Sequence, residues 1–338
     1  MSGSMHTQGL TSVSIVIPCY NEELAIPHLI SRLQDCISNA TNGRKNRYLF
    51  EILFVDDGSK DKTYNAIEAA TPTSKDISIR CLKLNRNYGH MAAIEAGLAE
   101  TSSNLVITMD ADLQDPPEII SKLIEKWEET GADVIQAVRF SRETDTLFKK
   151  ITASMYYRFI KRITGVDIIS NAADFRLMTR TAVKMIMSLP EKQKIFRLLI
   201  PALGLKTEEI YFARDSRVAG RTKYNLPRML NLTTDSVIAF SSKPLRLIGI
   251  IGLLGFIFFA LLFLYALVSY IYFDTVSGWT SLVFLILTAN SFLLGAVGLI
   301  GEYVGRIYES SLKRPRYLIE KDLTIRLDQE INNAQERQ

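Results

Sequence analysis

The sequence predicts an α/β domain with a mostly parallel sheet, followed near the C-terminus by two membrane-spanning helices. Two observations predict the domain: short apolar runs alternate with helical patterns, and acidic or asparagine-rich turns follow those runs. A third observation predicts the helices, because residues 247–273 and 278–301 contain no charged side chain. Each segment exceeds the ~20 apolar residues that cross a hydrocarbon core.

The apolar runs predict where the strands lie, and their ends predict where a ligand binds. In open parallel sheets, ligands bind outside the carboxyl ends of the strands, where the acidic turns of this chain are expected. No glycine-rich dinucleotide fingerprint and no phosphate-binding G-K-[ST] loop follows any run, which argues against those two folds. The expected strands are Val13–Ile17, Leu49–Val55, Ile79–Leu84, Leu105–Met109 and Asp133–Val138.

Asp110-Ala-Asp112 follows the fourth apolar run. Two carboxylates at one turn can converge on a hard cation such as Mg²⁺ or Mn²⁺ and leave positions open for phosphate oxygens. The alternative is a solvated acidic turn. Asp115 is expected to cap the next helix, with Pro116 at its first position, so Asp110 and Asp112 remain for the metal.

Asp56-Asp57 forms a second acidic pair, after the second apolar run. One member is expected to accept hydrogen bonds from a ligand, such as those of a ribose hydroxyl or a base N–H. The other is expected to close the Asp-Gly turn. The residues themselves leave open which member has which role.

Basic residues near residue 220 predict an anion site. Arg217, Arg221 and Lys223 alternate with small residues, so several cationic groups could reach one phosphate. A solvated basic loop is the alternative. Arg139, which directly follows the fifth predicted strand, is a further candidate for a phosphate partner.

Charge around the two apolar segments predicts their orientation. Basic residues flank the pair on both sides, whereas the connection 274–277 contains no Lys or Arg, so the large domain and both termini are expected in the cytoplasm. A basic amphipathic helix at about 144–163 suits an anionic leaflet or, alternatively, packs on the core. The predicted order is an added or disordered start (1–11), the α/β domain (12–225), a juxtamembrane helix (226–243), the two spans (247–273 and 278–301) and a tail (302–338).

Composition excludes little. The chain has 338 residues, 22% of them charged, and a formal net charge of only +4, which favours no particular partner; no nucleic-acid partner is expected. Cys19, Cys36 and Cys81 lack metal-type spacing and are interpreted as free thiols. Glycines in the two spans could allow close helix packing, so a homo-oligomer is possible.

Several motifs together resemble family 2 glycosyltransferases, which have the Rossmann-like GT-A fold. With the helix hairpin, the chain is similar to the polyprenyl-phosphate members of that family, such as bactoprenol glucosyltransferases and dolichol-phosphate mannose synthases. The resemblance extends from about residue 12 to about residue 317. It rests on Val13-Ser-Ile-Val-Ile-Pro-Cys-Tyr-Asn-Glu-Glu23, Phe54-Val-Asp-Asp-Gly-Ser59, Asn85-x-x-x-Gly89 and Asp110-Ala-Asp-Leu-Gln114.

The resemblance implies a set of site residues. Asn171–Arg176 resembles the acceptor-side motif, with Ala173 where glycine is usual, and Arg217–Tyr224 resembles the family's R-x-x-G-x-[ST]-K segment. The implied nucleotide pocket comprises Pro18, Tyr20, Glu22, Asp57 and Asp110, and the implied metal ligands are Asp110, Asp112 and Gln114. The acceptor phosphate is expected to bind Arg217, Arg221 and Lys223, with Arg139 added from its position after the fifth strand. The expected catalytic residues are Asp112, Asp174 and Arg217.

The expected reaction is transfer of a hexose, with inversion, from a nucleotide-sugar to a polyprenyl phosphate. A phosphate monoester is largely ionised at neutral pH, its second pKa being about 6, so a strong general base is unnecessary. Asp174 is expected to orient the sugar or the acceptor. Glucose from UDP-glucose is the favoured donor, with mannose and amino-arabinose as alternatives.

Three other functions compete with this one. A processive polysaccharide synthase would need a Gln-x-x-Arg-Trp segment, which is absent, since Trp127 and Trp279 follow Lys126 and Gly278. A non-catalytic nucleotide-binding membrane scaffold would not need both the acidic turn and the basic loop. A flippase would need more than one helix hairpin.

Overall fold

The computed structural model describes residues 10–41, 48–140, 169, 171–191, 194–213, 278–312 and 314–327, with a few further positions between 250 and 268. The chain divides into two compact units. The larger unit consists of Met1–Arg158, Val166–Lys223 and Pro315–Gln338, and the smaller unit of Phe159–Gly165 and Tyr224–Arg314.

The larger unit is built on one eight-stranded sheet with the strand order β7-β5-β6-β4-β1-β2-β3-β8. Most of its strands run in the same direction; only β6 and β8 are antiparallel to their neighbours. The strands are β1 (Thr11–Cys19), β2 (Tyr48–Asp56), β3 (Ile77–Leu84), β4 (Leu105–Thr108), β5 (Val134–Arg139), β6 (Ala172–Thr179), β7 (Thr207–Phe212) and β8 (Ile319–Ile325).

This topology confirms the predicted mostly parallel α/β sheet, and β1 to β5 coincide with the expected strands. The other strands were not predicted. β6 contains the segment that was interpreted as an acceptor-side loop, and Ala173 lies fully buried within it. β8 lies in the segment that was interpreted as a tail, and it pairs with β3.

Helices connect and cover the strands. In α1, apolar residues recur every three or four positions, and Ile26, Leu29, Leu33 and Ile37 are buried against the sheet core as this spacing requires. The helices of the larger unit are α1 (Ile26–Thr41), α2 (Thr63–Glu68), α3 (His90–Glu100), α4 (Ile119–Thr130), α5 (Arg180–Ser188) and α6 (Phe196–Ala202).

Helix α3 lies unusually close to the sheet at Gly97. A Cβ atom at this position would stand 2.3 Å from Cγ1 of Val16 and 3.1 Å from Cγ2 of Val55. Both valines belong to buried strands and have short branched side chains that cannot turn away. Glycine at this position therefore sets how closely α3, which begins at the site, packs against β1 and β2.

Replacing Gly97 by alanine is expected to destabilise the fold by about 2 kcal/mol, because overpacking forces buried atoms apart. In a unit of this size the loss lowers the midpoint of thermal unfolding by about 4–8 °C. The double variant Gly97→Ala/Val16→Ala is the control, since it removes the clashing methyl group and should recover part of the loss. An unchanged midpoint in the single variant would contradict the close approach.

The smaller unit contains the long helix α7 (Trp279–Ser311), which includes the second predicted span. Among the described residues, no helix is both long enough and apolar enough to span a bilayer. The first predicted span is described only at scattered positions, and the amphipathic segments 144–163 and 226–243 lie outside the described residues. The transmembrane hairpin therefore stays a prediction.

Candidate active site

The carboxyl ends of β1, β2 and β4 lie side by side, because these strands are parallel neighbours in the sheet. The predicted acidic turns lie at the end of β2 and just after β4, and the Pro18–Glu22 segment begins within the end of β1. The structure therefore gathers most of the predicted site residues at one edge of the sheet, as expected for ligand binding in such folds.

Asp56 and Asp57 have different roles. Asp56 closes the turn, since its Oδ1 accepts the Ser59 N–H at 2.9 Å. Asp57 is buried, and its carboxylate accepts the backbone N–H groups of Tyr88 at 2.7 Å and of Gly89 at 2.8 Å. Burial raises the pKa of Asp57, and the hydrogen bonds from Tyr88 and Gly89 oppose this effect without cancelling it.

Gly58 brings the same two segments into backbone contact. Its φ of +65° is a conformation that glycine adopts readily, and a Cβ atom here would lie 2.4 Å from the Arg86 carbonyl carbon. Asp57 and Gly58 together fasten the Asn85–Gly89 loop to the end of β2. The ligand contact of Asp57 stays a prediction, and its carboxylate has a second role in shaping this loop.

The other predicted nucleotide-pocket residues lie beside this turn. Pro18 is buried in β1, whereas Tyr20 and Glu22 are partly exposed just beyond it. The Glu22 N–H donates to Thr63 Oγ1 at 2.8 Å, and the Lys60 N–H donates to Asn21 Oδ1 at 2.9 Å. These bonds fix the segment after β1 against the segment after β2.

A cluster of charged side chains surrounds Asp110. Its carboxylate lies 3.5 Å from His90 Nε2 and 3.9 Å from Arg139 Nη2, and His90 Nε2 is in turn 3.8 Å from Asp174. Burial, followed by the negative charges of Asp174, Asp115 and Asp112, raises the pKa of Asp110 to about 6 against the opposing effect of His90. The predicted metal ligand and the predicted orienting residue are thus joined through one histidine.

Asp174 is held by cations on several sides. Arg176 Nη2 donates to its Oδ1 at 2.6 Å, and the Thr108 hydroxyl donates to its backbone carbonyl at 2.7 Å. Burial alone would raise the pKa of Asp174, but the nearby His90 imidazole and the charges of Arg176 and Arg197 outweigh it and hold that pKa below its usual range. Asp174 therefore stays ionised and is a weak base.

The structure corrects the expected role of Asp115. Helix α4 begins at Ile119, with Glu118 as its N-cap, so Asp115 does not cap it and Pro116 is not its first residue. The Asp115 carboxylate instead accepts two hydrogen bonds from Arg139, Nε at 3.1 Å and Nη2 at 2.8 Å. A fully buried carboxylate needs a cationic partner more than the helix needs a cap, which explains the difference.

The donor set for a metal consists of oxygen atoms. Within the described part of the chain, no three His, Cys, Asp or Glu side chains converge closely enough to hold a metal ion by themselves. Asp112 Oδ1 accepts the Gln114 N–H at 3.1 Å, and the buried Gln114 Oε1 has no hydrogen-bond partner among the described residues. Asp110, Asp112 and the unpartnered Gln114 oxygen fit a hard divalent cation whose remaining ligands come from a diphosphate.

Two residues of the cluster, His90 and Arg176, were not predicted from the sequence. His90 follows directly on the Asn85–Gly89 motif, at the first position of α3, and this adjacency was the available signal. Arg176 ends the acceptor-side motif and is almost fully buried, with Nε and Nη1 unpartnered among the described residues. The predicted phosphate ligands Arg217, Arg221 and Lys223 lie outside the described residues.

A family model described as "Glycosyl transferase family 2" matches residues 14–186, the part that carries this site. The chain belongs to glycosyltransferase family 2. Two relatives are similar in sequence to this glycosyltransferase along nearly their whole lengths. An uncharacterized glycosyltransferase of Bacillus subtilis, YkcC, is 39% identical over 92% of this chain and 94% of its own. A bactoprenol glucosyl transferase of Shigella phage SfV is 37% identical over 92% of this chain and 98% of its own.

Among solved structures, the family 2 chain is similar to glucosyl-3-phosphoglycerate synthase from Mycobacterium tuberculosis, crystallised with Mn²⁺ and uridine-diphosphate-glucose. The identity is 19%, the match covers 68% of this chain and 77% of that one, and the TM-score is 0.46. The family model and the curated relatives confirm, at the level of the family, the resemblance that the motifs predicted.

Proposed function

We propose that this glycosyltransferase moves glucose from UDP-glucose to undecaprenyl phosphate, with inversion at the anomeric carbon. The observation that carries the proposal is the near full-length similarity to enzymes named bactoprenol glucosyl transferase, together with the acidic edge of the sheet. That similarity covers 91% or more of this chain, so it extends well beyond residues 14–186, which the family model matches.

Different residues of this chain would bind the nucleotide and the diphosphate of the donor. Pro18, Tyr20 and Glu22 would line the nucleotide, on the segment that hydrogen bonds fix beside β2. Asp110, Asp112 and Gln114 would hold Mg²⁺ or Mn²⁺ at the diphosphate. The cation, when bound, neutralises the charge that develops on the leaving nucleotide.

The acceptor needs positioning more than deprotonation. Its phosphate oxygen attacks the anomeric carbon from the face opposite the nucleotide, and it carries negative charge at neutral pH already. Asp174, ionised and held between His90 and Arg176, would orient the sugar or the acceptor rather than remove a proton. Arg139, Arg217, Arg221 and Lys223 would balance the acceptor's charge.

A lipid acceptor requires a site at a membrane surface. The hairpin of 247–273 and 278–301, with the basic amphipathic segments 144–163 and 226–243, would place the chain in the inner or plasma membrane with the sheet domain and both termini in the cytoplasm. The phosphate would then remain at the headgroups while the polyprenyl tail stays in lipid.

A screen of radiolabelled nucleotide-sugars against undecaprenyl phosphate, with and without Mg²⁺, tests the function. Metal-dependent movement of label from UDP-glucose into the organic phase is the expected result. Label from GDP-mannose or from an amino-arabinose donor would replace glucose in the proposal. Binding of UDP-glucose without any transfer would favour a non-catalytic scaffold.

The pKa of Asp110 predicts how metal activation depends on pH. Below about pH 6 protons compete with the cation for this carboxyl, so transfer should fall and the Mg²⁺ concentration for half-maximal rate should rise. The check is to measure transfer rates at several Mg²⁺ concentrations, once at about one pH unit below that value and once at about one pH unit above it. Protonation of the acceptor phosphate also slows transfer, but only the metal effect is relieved by more Mg²⁺. An equal Mg²⁺ requirement at both pH values would contradict the assignment.

A further inference from the structure

Glu95, in the middle of α3, forms a buried ion cluster away from the acidic turns. Its Oε1 lies 3.4 Å from Lys194 Nζ, and its Oε2 is bound by Arg316 Nη1. The Glu95 side chain is only 9% exposed and that of Lys194 only 6%. A carboxylate in such surroundings depends on its cationic partners, because removal of either partner leaves a buried charge uncompensated.

This one carboxylate joins three separate parts of the larger unit. Glu95 belongs to α3, and Lys194 lies in the connection between α5 and α6. Lys194 also donates to the backbone carbonyls of Leu189 at 3.2 Å and Glu191 at 3.1 Å, which fixes that connection further. Arg316 precedes β8 and belongs to the segment that returns to the sheet after α7.

Two routes through the structure connect Glu95 with Asp174. One follows α3 to its first residue, His90, whose Nε2 lies 3.8 Å from the Asp174 carboxylate. The other leads from Lys194 to Phe196, at the start of α6, whose ring centroid lies 5.9 Å from the Arg176 guanidinium carbon.

The second route ends in a short hydrogen bond, and a residue of α6 adds a further hydrogen bond to β6. Arg176 Nη2 donates to Asp174 Oδ1 at 2.6 Å, and Arg197 Nη2 donates to the Ala172 carbonyl at 3.2 Å. His90 and Arg176, the two side chains that flank Asp174, are thus carried by, or packed against, elements that Glu95 joins.

We propose that Glu95 is a positioning residue for sugar transfer, which locks α3 to the segment before α6 and thereby holds Asp174 between His90 and Arg176. The proposal rests on the proposed function, because Asp174 is assigned there to orient the sugar or the acceptor. Glu95 itself touches neither substrate. Its loss would misplace a reacting group rather than remove one, so the turnover number should suffer more than donor binding.

A second ion pair on the returning segment supplies a matched control. Arg80 of β3 binds Asp322 of β8 through Nε at 2.8 Å and Nη2 at 2.7 Å. This pair fastens the same returning segment to the sheet at the β3–β8 edge. Arg80 also donates to the Glu100 carbonyl at the end of α3, at 3.1 Å. Asp322→Asn keeps Arg80 and this bond, so it weakens the attachment of the segment while the contacts of α3 described above remain.

The test compares Glu95→Gln with Asp322→Asn in the purified full-length chain. Glu95→Gln should lower kcat for transfer to undecaprenyl phosphate by about tenfold, with the KM for UDP-glucose changed by less than about twofold. Asp322→Asn should change both constants by less than about twofold. Arg316→Lys, which keeps a cation beside Glu95, should restore most of the kcat that Arg316→Met loses. Equal losses of kcat in Glu95→Gln and Asp322→Asn would overturn the proposal.

Hydrogen–deuterium exchange gives a readout that does not need turnover. In Glu95→Gln, backbone amides of β6 and α6 should exchange faster than in the unsubstituted chain, whereas in Asp322→Asn the change should be confined to β3 and β8. If the unsubstituted chain transfers no label from UDP-glucose, the proposed function fails, and this measurement still decides the role of Glu95. Unchanged exchange in β6 and α6 would overturn that role.

Discussion

Replacing Asp112 by asparagine is expected to reduce sugar transfer by about a thousandfold and to leave the fold intact. Asparagine keeps an Oδ1 atom to accept the Gln114 N–H, so the turn after β4 can retain its conformation. It removes the negative charge, and a neutral amide is a much weaker ligand for a divalent cation beside a diphosphate. The loss should therefore appear in metal-dependent turnover, with Tm unchanged.

The measurement combines label transfer with titration of Mn²⁺ into the UDP-bound protein. Asp112→Asn and Asp112→Ala should both lose transfer and both bind Mn²⁺ weakly. Asp76→Asn is the matched control, since it removes one carboxylate from an exposed loop between α2 and β3 and should transfer normally. Full transfer by Asp112→Ala with metal present would exclude Asp112 from the metal site.

Replacing Asp57 by asparagine should raise the KM for UDP-glucose by about 10- to 100-fold. The carboxylate accepts two backbone N–H groups, and an amide has only one oxygen, so its NH₂ would face either Tyr88 N–H or Gly89 N–H. One buried donor then loses its partner, and the Asn85–Gly89 loop moves from the end of β2. Because this loop stands beside the nucleotide segment, donor binding should weaken more than the maximal rate falls.

Initial rates at varied UDP-glucose provide the measurement for this second variant. Tyr88→Phe is its control, because it loses the hydroxyl hydrogen bond to Asn85 but keeps both backbone bonds to Asp57. The control should show a KM close to that of the unsubstituted chain. An Asp57→Asn variant with an unchanged KM would show that the loop needs no anchor at this carboxylate.

Most of the strands that could be predicted are largely buried. β1, β2, β4 and β5 present nearly continuous apolar runs, which are visible in the sequence, whereas β3 alternates buried and partly exposed residues. β6 is largely buried as well, but Asp174 and Arg176 interrupt its apolar pattern, and it was missed. β7 and β8 lie at the two edges of the sheet, and β8 carries Glu320, Lys321 and Asp322 in succession. Charged edge strands resist association with other chains but lack the apolar signal, so they were missed.

The residue types of the site could be predicted better than their partners. Acidic pairs after strands indicated a ligand edge, because strand ends meet there whatever the details of the fold. Which cation meets which carboxylate depends on tertiary distances, as between Asp115 and Arg139 or between Asp174 and Arg176. A local signal such as Asp115-Pro116 was overridden by one such partner. The role of His90 could not be predicted from this residue alone, because it depends on Asp110 and Asp174, which come from distant segments.

The last strand has a consequence for the order in which the protein is made. It pairs with β3, and the Arg80–Asp322 pair joins residues 242 positions apart, with α7 synthesised in between. A ribosome therefore synthesises α7 and β8 before this edge of the sheet can close. Until then β3 presents an unpaired edge, and a truncated translation product would keep that edge open to other chains. The enzyme domain thus reaches its final form only after the helix that follows it along the chain has been synthesised.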